Sequence, residues 1–134
     1  MAKTIMVVDD EKRLVSLVES YLSQEGYRVV TAYNGKEALA VAQKEHPDLI
    51  ILDVMMEDCA AGFRVVNQLR DAKALGFHPG HENVPILMLT NVQQHLHLKL
   101  EQHARTSLMN VDEFVEKPIE PRRLLERVAA LLAG

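Results

Sequence analysis

Residues 4–13 read TIMVVDDEKR, and this stretch decides the fold class. Ile5 to Val8 form a short apolar run that is typical of a buried strand, and Asp9 and Asp10 follow it directly. A helical periodicity of apolar residues begins soon after the two aspartates, and the stripe predicted from it consists of Leu14, Leu17, Val18, Tyr21 and Leu22. A buried strand that leads into an amphipathic helix is the repeating unit of a parallel sheet covered by helices.

The same unit recurs along the rest of the chain. Strands are predicted at 4–8, 27–32, 48–53, 86–90 and 113–117, and helices at 11–25, 34–46, from about 62, at 93–106 and from 121 onward. Gly26 and Pro47 are predicted to end the first two helices, and Pro121 to lie in the first turn of the last. Strict alternation and right-handed crossovers predict a doubly wound α/β sheet with helices on both faces.

Composition restricts the class of protein. The 134 residues, of which 48% are hydrophobic and 25% charged, indicate a single globular domain over 1–134. The formal charge of −4 argues against direct nucleic-acid binding, and no apolar run is long enough for membrane insertion. We expect a cytoplasmic protein, because a signal-peptide pattern is missing from the first residues and Cys59 is the single cysteine.

Polar residues follow four of the five predicted strands. Asp53 ends the central strand, Thr90 the fourth and Lys117 the fifth, and Asp9 and Asp10 follow the first. The carboxyl ends of parallel strands lie at one edge of the sheet, so these groups should converge. Three converging carboxylates need a cation, and Mg²⁺ with its oxygen ligands suits them best.

The same set of groups predicts a phosphoryl-transfer chemistry. A metal, a lysine and a hydroxyl can stabilise the charge that develops on a transferred phosphoryl group. Asp53 stands alone at the end of the central strand, so we assign it as the nucleophile that becomes an aspartyl phosphate. The adjacent pair Asp9 and Asp10 is then assigned to the metal.

Four motifs make the sequence similar to the receiver domain of two-component response regulators over essentially its whole length. They are VVDDE at 7–11, LIILDVMM at 49–56, PILMLT at 85–90 and FVEKPI at 114–119. The resemblance implies a flavodoxin-like (βα)5 domain with strand order 2-1-3-4-5. It also implies transfer of a phosphoryl group to Asp53 from a histidine kinase or phosphotransfer protein. Such a domain is a signalling domain that catalyses only its own phosphorylation and dephosphorylation.

The resemblance also implies a ligand set for the metal. Asp10, Asp53 and the backbone carbonyl of Met55 would hold Mg²⁺, and Asp9 would act mainly through a metal-bound water.

A second group of residues resembles the switch of this family. Lys117 would contact the phosphoryl group, and its bond to Pro118 resembles one that is cis in the family. The Thr90 hydroxyl would move towards the phosphoryl group while the Phe114 ring swings inward. The face formed by helix 4 (93–106), strand 5 and helix 5 would then bind a downstream protein, an output domain or a second copy of the chain in a phosphorylation-dependent homodimer.

The sequence departs from the family pattern near the predicted site. Glu57 stands where the family usually has proline, Gly62 lies nine residues after Asp53 instead of eight, and Asn91 replaces a very small residue. The loop at 76–83 is longer than usual. Asn91 and the altered loop after Asp53 favour an alternative function, a receiver-like docking module that does not depend on phosphorylation.

Other readings are weaker. An aspartyl phosphatase normally needs a second aspartate two residues after its nucleophile, and this chain has Met55 there. Five histidines between 78 and 103 could suggest zinc, but they lack the ligand spacing of a zinc site. Solvated histidines are favoured, with pH-sensitive docking as a minor alternative. Cys59 is interpreted as an ordinary loop thiol.

Overall fold

The computed structural model describes residues 2–53, 84–90, 113–117 and 119–133. The strands within these ranges are β1 (Thr4–Val8), β2 (Arg28–Ala32), β3 (Leu49–Asp53), β4 (Ile86–Thr90) and β5 (Glu113–Glu116). The helices are α1 (Lys12–Gln24), α2 (Gly35–Glu45) and α3 (Pro121–Ala133), the last of which is the predicted fifth helix. The helices predicted from 62 and at 93–106, and the loop at 76–83, lie outside the described residues.

The five strands form one parallel sheet in the order β2-β1-β3-β4-β5. This order confirms the predicted strand order 2-1-3-4-5. In the register, Val8 of β1 lies beside both Ala32 of β2 and Leu52 of β3. Asp53 in turn lies beside Leu89 of β4. The carboxyl ends of the strands therefore lie at one edge of the sheet, as the site prediction required.

Both faces of the sheet are buried. On one face, alternate strand residues form a core with α1 and α3, and its fully buried members are Ile5, Val7, Val15, Val18, Leu22, Leu49, Ile51, Leu87, Leu89, Val115, Leu124 and Val128. The intervening strand residues, such as Met6 and Ile50, are buried on the opposite face. Helix α2 contacts β1 and β2, and its buried Ala38 and Ala42 lie outside the first core. The helices thus cover both faces of the sheet, which is why the central strands β1 and β3 and the neighbouring β4 contain continuous apolar runs.

Helix α1 packs on the sheet through Val15, Val18 and Leu22. The apolar spacing predicts Leu17 in the buried stripe of this helix, but the structure corrects this prediction, because Leu17 is 45% exposed. The buried residues follow a spacing of three and four, which selects Val15 rather than Leu17. Gly26, with φ of 88°, ends the helix as predicted, and Tyr27 N donates to Leu22 O at 3.2 Å in a Schellman arrangement.

Helix α2 begins at a side-chain cap and ends one residue earlier than predicted. The Asn34 side chain accepts a hydrogen bond from Glu37 N at 2.9 Å and donates one to the Glu37 carboxylate at 2.7 Å. The last helical residue is Glu45, and His46 adopts the left-handed conformation with φ of 48°. The helix therefore ends in the backbone of His46, before the predicted stop at Pro47.

None of the helices in the described ranges combines the length and the apolar character needed to cross a bilayer.

Candidate functional site

Two buried carboxylates lie at the carboxyl edge of the sheet. Asp9 follows β1 and Asp53 ends the neighbouring β3, and their exposed fractions are 1% and 3%. Asp9 N donates to Ala32 O at 3.2 Å, which extends the β1–β2 pairing to the aspartate itself. Both carboxylates are therefore held by the ends of rigid central strands rather than by loops.

Asp10 completes a group of three carboxylates. One oxygen from each of Asp9, Asp10 and Asp53 lies within 4.8 Å of the others, and Asp10 is the exposed member. Three oxygen donors of this kind, two buried and one open to solvent, fit a hard divalent cation that keeps several of its waters. The donor set therefore fits Mg²⁺, as the sequence predicted.

Lys117 directly follows the carboxyl end of β5, and its side chain extends to this group. Its Nζ lies 3.2 Å from Asp9 Oδ2 and 3.3 Å from Asp53 Oδ1, so a single ammonium contacts both buried carboxylates. The Lys117 side chain is 22% exposed, so it is not fully enclosed by the site. The three acidic residues and the lysine that the sequence predicted to converge are thus brought together.

The charges of the cluster shift the pKa of two of its members, Asp10 and Lys117. Partial burial and the neighbouring Asp9 carboxylate raise the pKa of Asp10, and the Lys117 ammonium opposes this. Burial alone would lower the pKa of Lys117, but the Asp53 and Asp9 carboxylates outweigh it and the net pKa is raised. The cluster therefore holds more negative charge than one ammonium neutralises.

One contact in the cluster had no signal in the sequence. The backbone N–H of Glu11 donates to Asp9 Oδ1 at 3.0 Å, while the other oxygen of Asp9 accepts from Lys117. Asp9 is thereby fixed in orientation by two donors. Backbone donors of this kind depend on the turn after β1 and cannot be read from residue identities.

For two further predicted residues, Thr90 and Phe114, the structure gives the position in the sheet. Thr90 is the last residue of β4, beside the strand that carries Asp53, and Phe114 lies beside Met88 in the β4–β5 register. Met55 and Pro118 lie outside the described residues. The same holds for the departures Glu57, Gly62 and Asn91, for the loop thiol of Cys59 and for the five histidines between 78 and 103.

No sequence motif predicts the lysine–tyrosine pair that lies near this edge of the sheet. Lys12 is the first residue of α1, and its Nζ lies 5.4 Å from the centroid of the Tyr33 ring. Tyr33 directly follows β2 and packs partly against the core. The distance is within the range of a cation–π contact.

Comparison with known proteins gives a family match over most of the chain. Residues 5–129 match the response regulator receiver domain. The chain is 39% identical over 98% of its length to the alkaline phosphatase synthesis transcriptional regulatory protein PhoP of Bacillus subtilis, and 36% identical over 98% to the regulatory protein VanRc of Enterococcus gallinarum. These matches cover 49% and 51% of the two relatives, so the chain spans about half of their length.

Solved structures with the same fold are similar along their whole length. A CheY-like response regulator receiver domain protein from Methanospirillum hungatei has a TM-score of 0.77 and 26% identity, covering 99% of this chain and 95% of that one. The chemotaxis protein CheY4 of Vibrio cholerae has a TM-score of 0.75 and 28% identity, covering 98% and 99%. The fold and the motif positions therefore agree with one family.

Proposed function

This chain belongs to the response regulator receiver domain family, and we propose that it accepts a phosphoryl group on the Asp53 carboxylate in a Mg²⁺-dependent reaction. Receiver domains are signalling domains that interact with histidine kinases and output domains. The proposed donor is accordingly a phosphohistidine on a histidine kinase or phosphotransfer protein. We propose that residues 1–134 form one such domain.

The observation that carries the proposal is the position of Asp53. Its carboxylate is buried at the end of the central strand, 3.3 Å from an ammonium and within 4.8 Å of two further carboxylates. A buried carboxylate among cation-binding oxygens is suited to attack phosphorus, because a bound cation screens the repulsion between the nucleophile and the phosphoryl oxygens.

The proposed transfer can be written atom by atom. An Asp53 oxygen forms a bond to phosphorus as the bond between phosphorus and the donor histidine nitrogen breaks, and the electron pair stays with the imidazole. When bound, Mg²⁺ supplies charge neutralisation at the phosphoryl oxygens. Asp10 and Asp53, with the backbone carbonyl of Met55, would hold it, and Asp9 would act mainly through a metal-bound water.

Lys117 has two roles in this proposal. Before transfer it pairs with Asp53 and Asp9 and keeps these buried carboxylates compensated. After transfer its ammonium contacts the phosphoryl oxygens, since the phosphoryl group replaces the carboxylate as the nearest strong anion. The lysine thus moves between two anionic partners at one edge of the sheet.

The signal is proposed to leave through the edge of the sheet at β4 and β5. Thr90, at the end of β4, would donate its hydroxyl to the phosphoryl group, and Phe114 on β5 would change its rotamer in response. The strand order supports a local effect, because β4 lies between the strand of Asp53 and β5. A change there would alter the face formed by the predicted fourth helix (93–106), β5 and α3, which is the predicted fifth helix. This face would bind a downstream protein, an output domain or a second copy of the chain.

Intact mass spectrometry tests the proposal. The protein is incubated with acetyl phosphate in the presence or absence of Mg²⁺, with Asp53→Asn as the matched variant. We expect the wild type to gain one phosphoryl mass only with Mg²⁺ and the variant to gain none. A wild type that gains no mass, and that shows no spectral response to beryllofluoride, would overturn phosphorylation and leave the docking-module alternative.

The homodimer is tested by light scattering. We expect the beryllofluoride complex of the wild type to have a larger mass in solution than the free protein, whereas Asp53→Asn has one mass throughout. An unchanged mass for the wild-type complex would leave a heterologous partner or output domain as the receiver of the signal.

A further inference from the structure

We propose that Lys12, held by the ring of Tyr33, is a second cation at the rim of the Asp53 site and increases the capture of anionic phosphodonors. The inference rests on the proposed function, because it assigns a role in the same reaction. The observation behind it is the 5.4 Å separation between Lys12 Nζ and the Tyr33 ring centroid.

The placement of the pair is fixed by the sheet. Ala32 ends β2, lies beside Val8 and accepts a hydrogen bond from Asp9 N at 3.2 Å. Tyr33 is the next residue, so its backbone leaves the sheet next to the start of the acidic group. Lys12 comes two residues after Asp10 along the chain. Both members of the pair therefore lie at the carboxyl edge of the sheet.

Lys12 and Lys117 approach the site from different sides. Lys117 follows β5, whereas Tyr33 follows β2, and these two strands are the opposite edges of the sheet. The carboxylates lie on the strands between them. An anion that enters over the central strands would therefore pass between two ammonium groups.

The charges of the site explain why a second cation matters. Three carboxylates against one ammonium leave a formal charge of −2, and a magnesium ion would bring this charge to zero. A site with no net charge does not attract a donor such as acetyl phosphate, which is an anion. The Lys12 ammonium adds one positive charge at the rim and makes the electrostatic potential that the donor meets more positive.

Tyr33 acts through Lys12 and is therefore a positioning residue. A lysine side chain on an exposed helix surface samples many rotamers, and the contact with the aromatic ring restricts them. Tyr33 is itself half-buried and packs against the core, so the ring is a fixed platform. Its ring rather than its hydroxyl is the group that the proposal requires.

Lys12 does not stabilise its own helix through the helix dipole. It occupies the first position of α1, and this helix has no acidic residue in its first turn. A positive charge at the amino end of a helix is electrostatically unfavourable. The interaction of Lys12 with the helix dipole therefore does not explain a lysine at this position, although the N-cap residue Glu11 is acidic, and the proposed role is attraction of an anion at the neighbouring site.

The test measures the second-order rate constant for phosphorylation by acetyl phosphate at low and high ionic strength. In this step an Asp53 oxygen bonds to phosphorus, the bond from phosphorus to the acetyl oxygen breaks, and acetate leaves with the electron pair. We expect Lys12→Gln to lower the rate constant about two- to fourfold at low salt, and to have almost no effect at 1 M salt, because exposed charges are screened there.

Matched variants separate this role from a loss of structure. Lys3 precedes β1 and so lies at the amino ends of the strands, away from the site. Lys3→Gln removes the same charge there and should leave the rate constant unchanged. Tyr33→Phe keeps the ring and should behave as the wild type, whereas Tyr33→Leu should resemble Lys12→Gln. The double variant should be no slower than either single variant, since both remove one interaction.

Two further measurements do not depend on donor turnover. Dephosphorylation uses neutral water, so Lys12→Gln should leave its rate unchanged, while the affinity for beryllofluoride, an anion, should fall in the same direction as the phosphorylation rate. If the wild type is phosphorylated but Lys12→Gln and Lys3→Gln have equal rate constants at low salt, the role of Lys12 is overturned and the proposed function stands. A wild type that neither gains phosphate nor binds beryllofluoride overturns both.

Discussion

At the scale of single residues, Lys117 acts as an internal counterion for two buried carboxylates. Its ammonium lies within hydrogen-bonding distance of Asp9 and Asp53, and the pKa of Lys117 is raised although burial acts to lower it. A raised lysine pKa means that the charged form stabilises the folded state. This contribution is fully present below the ordinary lysine pKa and is lost as the pH rises through the raised value.

Lys117→Met should therefore destabilise the metal-free protein at neutral pH by about 1–3 kcal/mol, since two buried carboxylates lose their cation. Urea unfolding followed by circular dichroism measures this. The exposed Lys36→Met serves as the control and should change the unfolding free energy little. Equal unfolding midpoints for the wild type and Lys117→Met would contradict the counterion role.

The same variant should bind Mg²⁺ more tightly than the wild type, because the ammonium no longer competes with the cation for Asp9 and Asp53. Calorimetric titration with MgCl₂ measures the dissociation constant. A weaker affinity in Lys117→Met would show that the lysine helps to build the metal site instead of competing for it.

For Asp10, in contrast to Lys117, the charged form is the one that the folded state disfavours. Its pKa is raised by partial burial and by Asp9, so its charged form disfavours folding in the absence of a cation. A raised carboxyl pKa contributes stability below the ordinary aspartate value, and this contribution is lost as the pH rises through the raised value.

Asp10→Asn should thus be slightly more stable than the wild type without Mg²⁺ at neutral pH, by less than about 1 kcal/mol because the group is exposed. The difference should vanish at acid pH, where both side chains are neutral. Added Mg²⁺ should stabilise the wild type more than the variant. Thermal unfolding at several pH values, with and without Mg²⁺, measures all three effects. A metal-free variant less stable than the wild type at neutral pH would contradict this account.

At the scale of elements, the ends of helices are set by backbone conformations. Gly26 has φ of 88°, and a Cβ built at this position meets no atom within 4 Å. The space around Gly26 would accept a side chain, so only the left-handed backbone restricts the residue. The resulting turn leads from α1 into β2, with Leu22 and Tyr27 in contact with the same core.

Gly26→Ala should cost about 1 kcal/mol of unfolding free energy, from backbone strain alone. Gly26→Asn should cost less, because asparagine adopts the left-handed conformation more readily. Urea unfolding of the three proteins measures the order. An alanine variant as stable as the wild type would show that the turn relaxes out of the left-handed region.

Most of the strands and helices in the described residues were predictable from the sequence, and the exceptions have physical causes. All five strands were predicted, and the signal is strongest in β1, β3 and β4, because their apolar runs are buried on both faces. Leu17 was misassigned because an apolar residue one position from the stripe looks the same in sequence as one within it. The left-handed turn at His46 was missed because a non-glycine residue gives no signal of positive φ.

At the scale of the whole molecule, the sheet brings together residues that are far apart in the chain. Asp9, Asp53 and Lys117 converge because three strand ends meet at one edge, and parallel topology made this predictable. The Glu11 N–H bond to Asp9 and the Lys12–Tyr33 contact depend on turn geometry and rotamers, which residue order does not encode. The grouping of the charged residues was thus more predictable than the orientation of Asp9 and the Lys12–Tyr33 contact.

The central claim is that Asp53 is the phosphoacceptor, and chemical trapping of the aspartyl phosphate tests it most directly. The protein is incubated with Mg²⁺ and acetyl phosphate, then reduced with borohydride, which converts an aspartyl phosphate to homoserine, and the peptides are sequenced by mass spectrometry. We predict homoserine at position 53 and unmodified aspartate at positions 9 and 10. Homoserine at position 9 or 10, or none at position 53, would contradict the account.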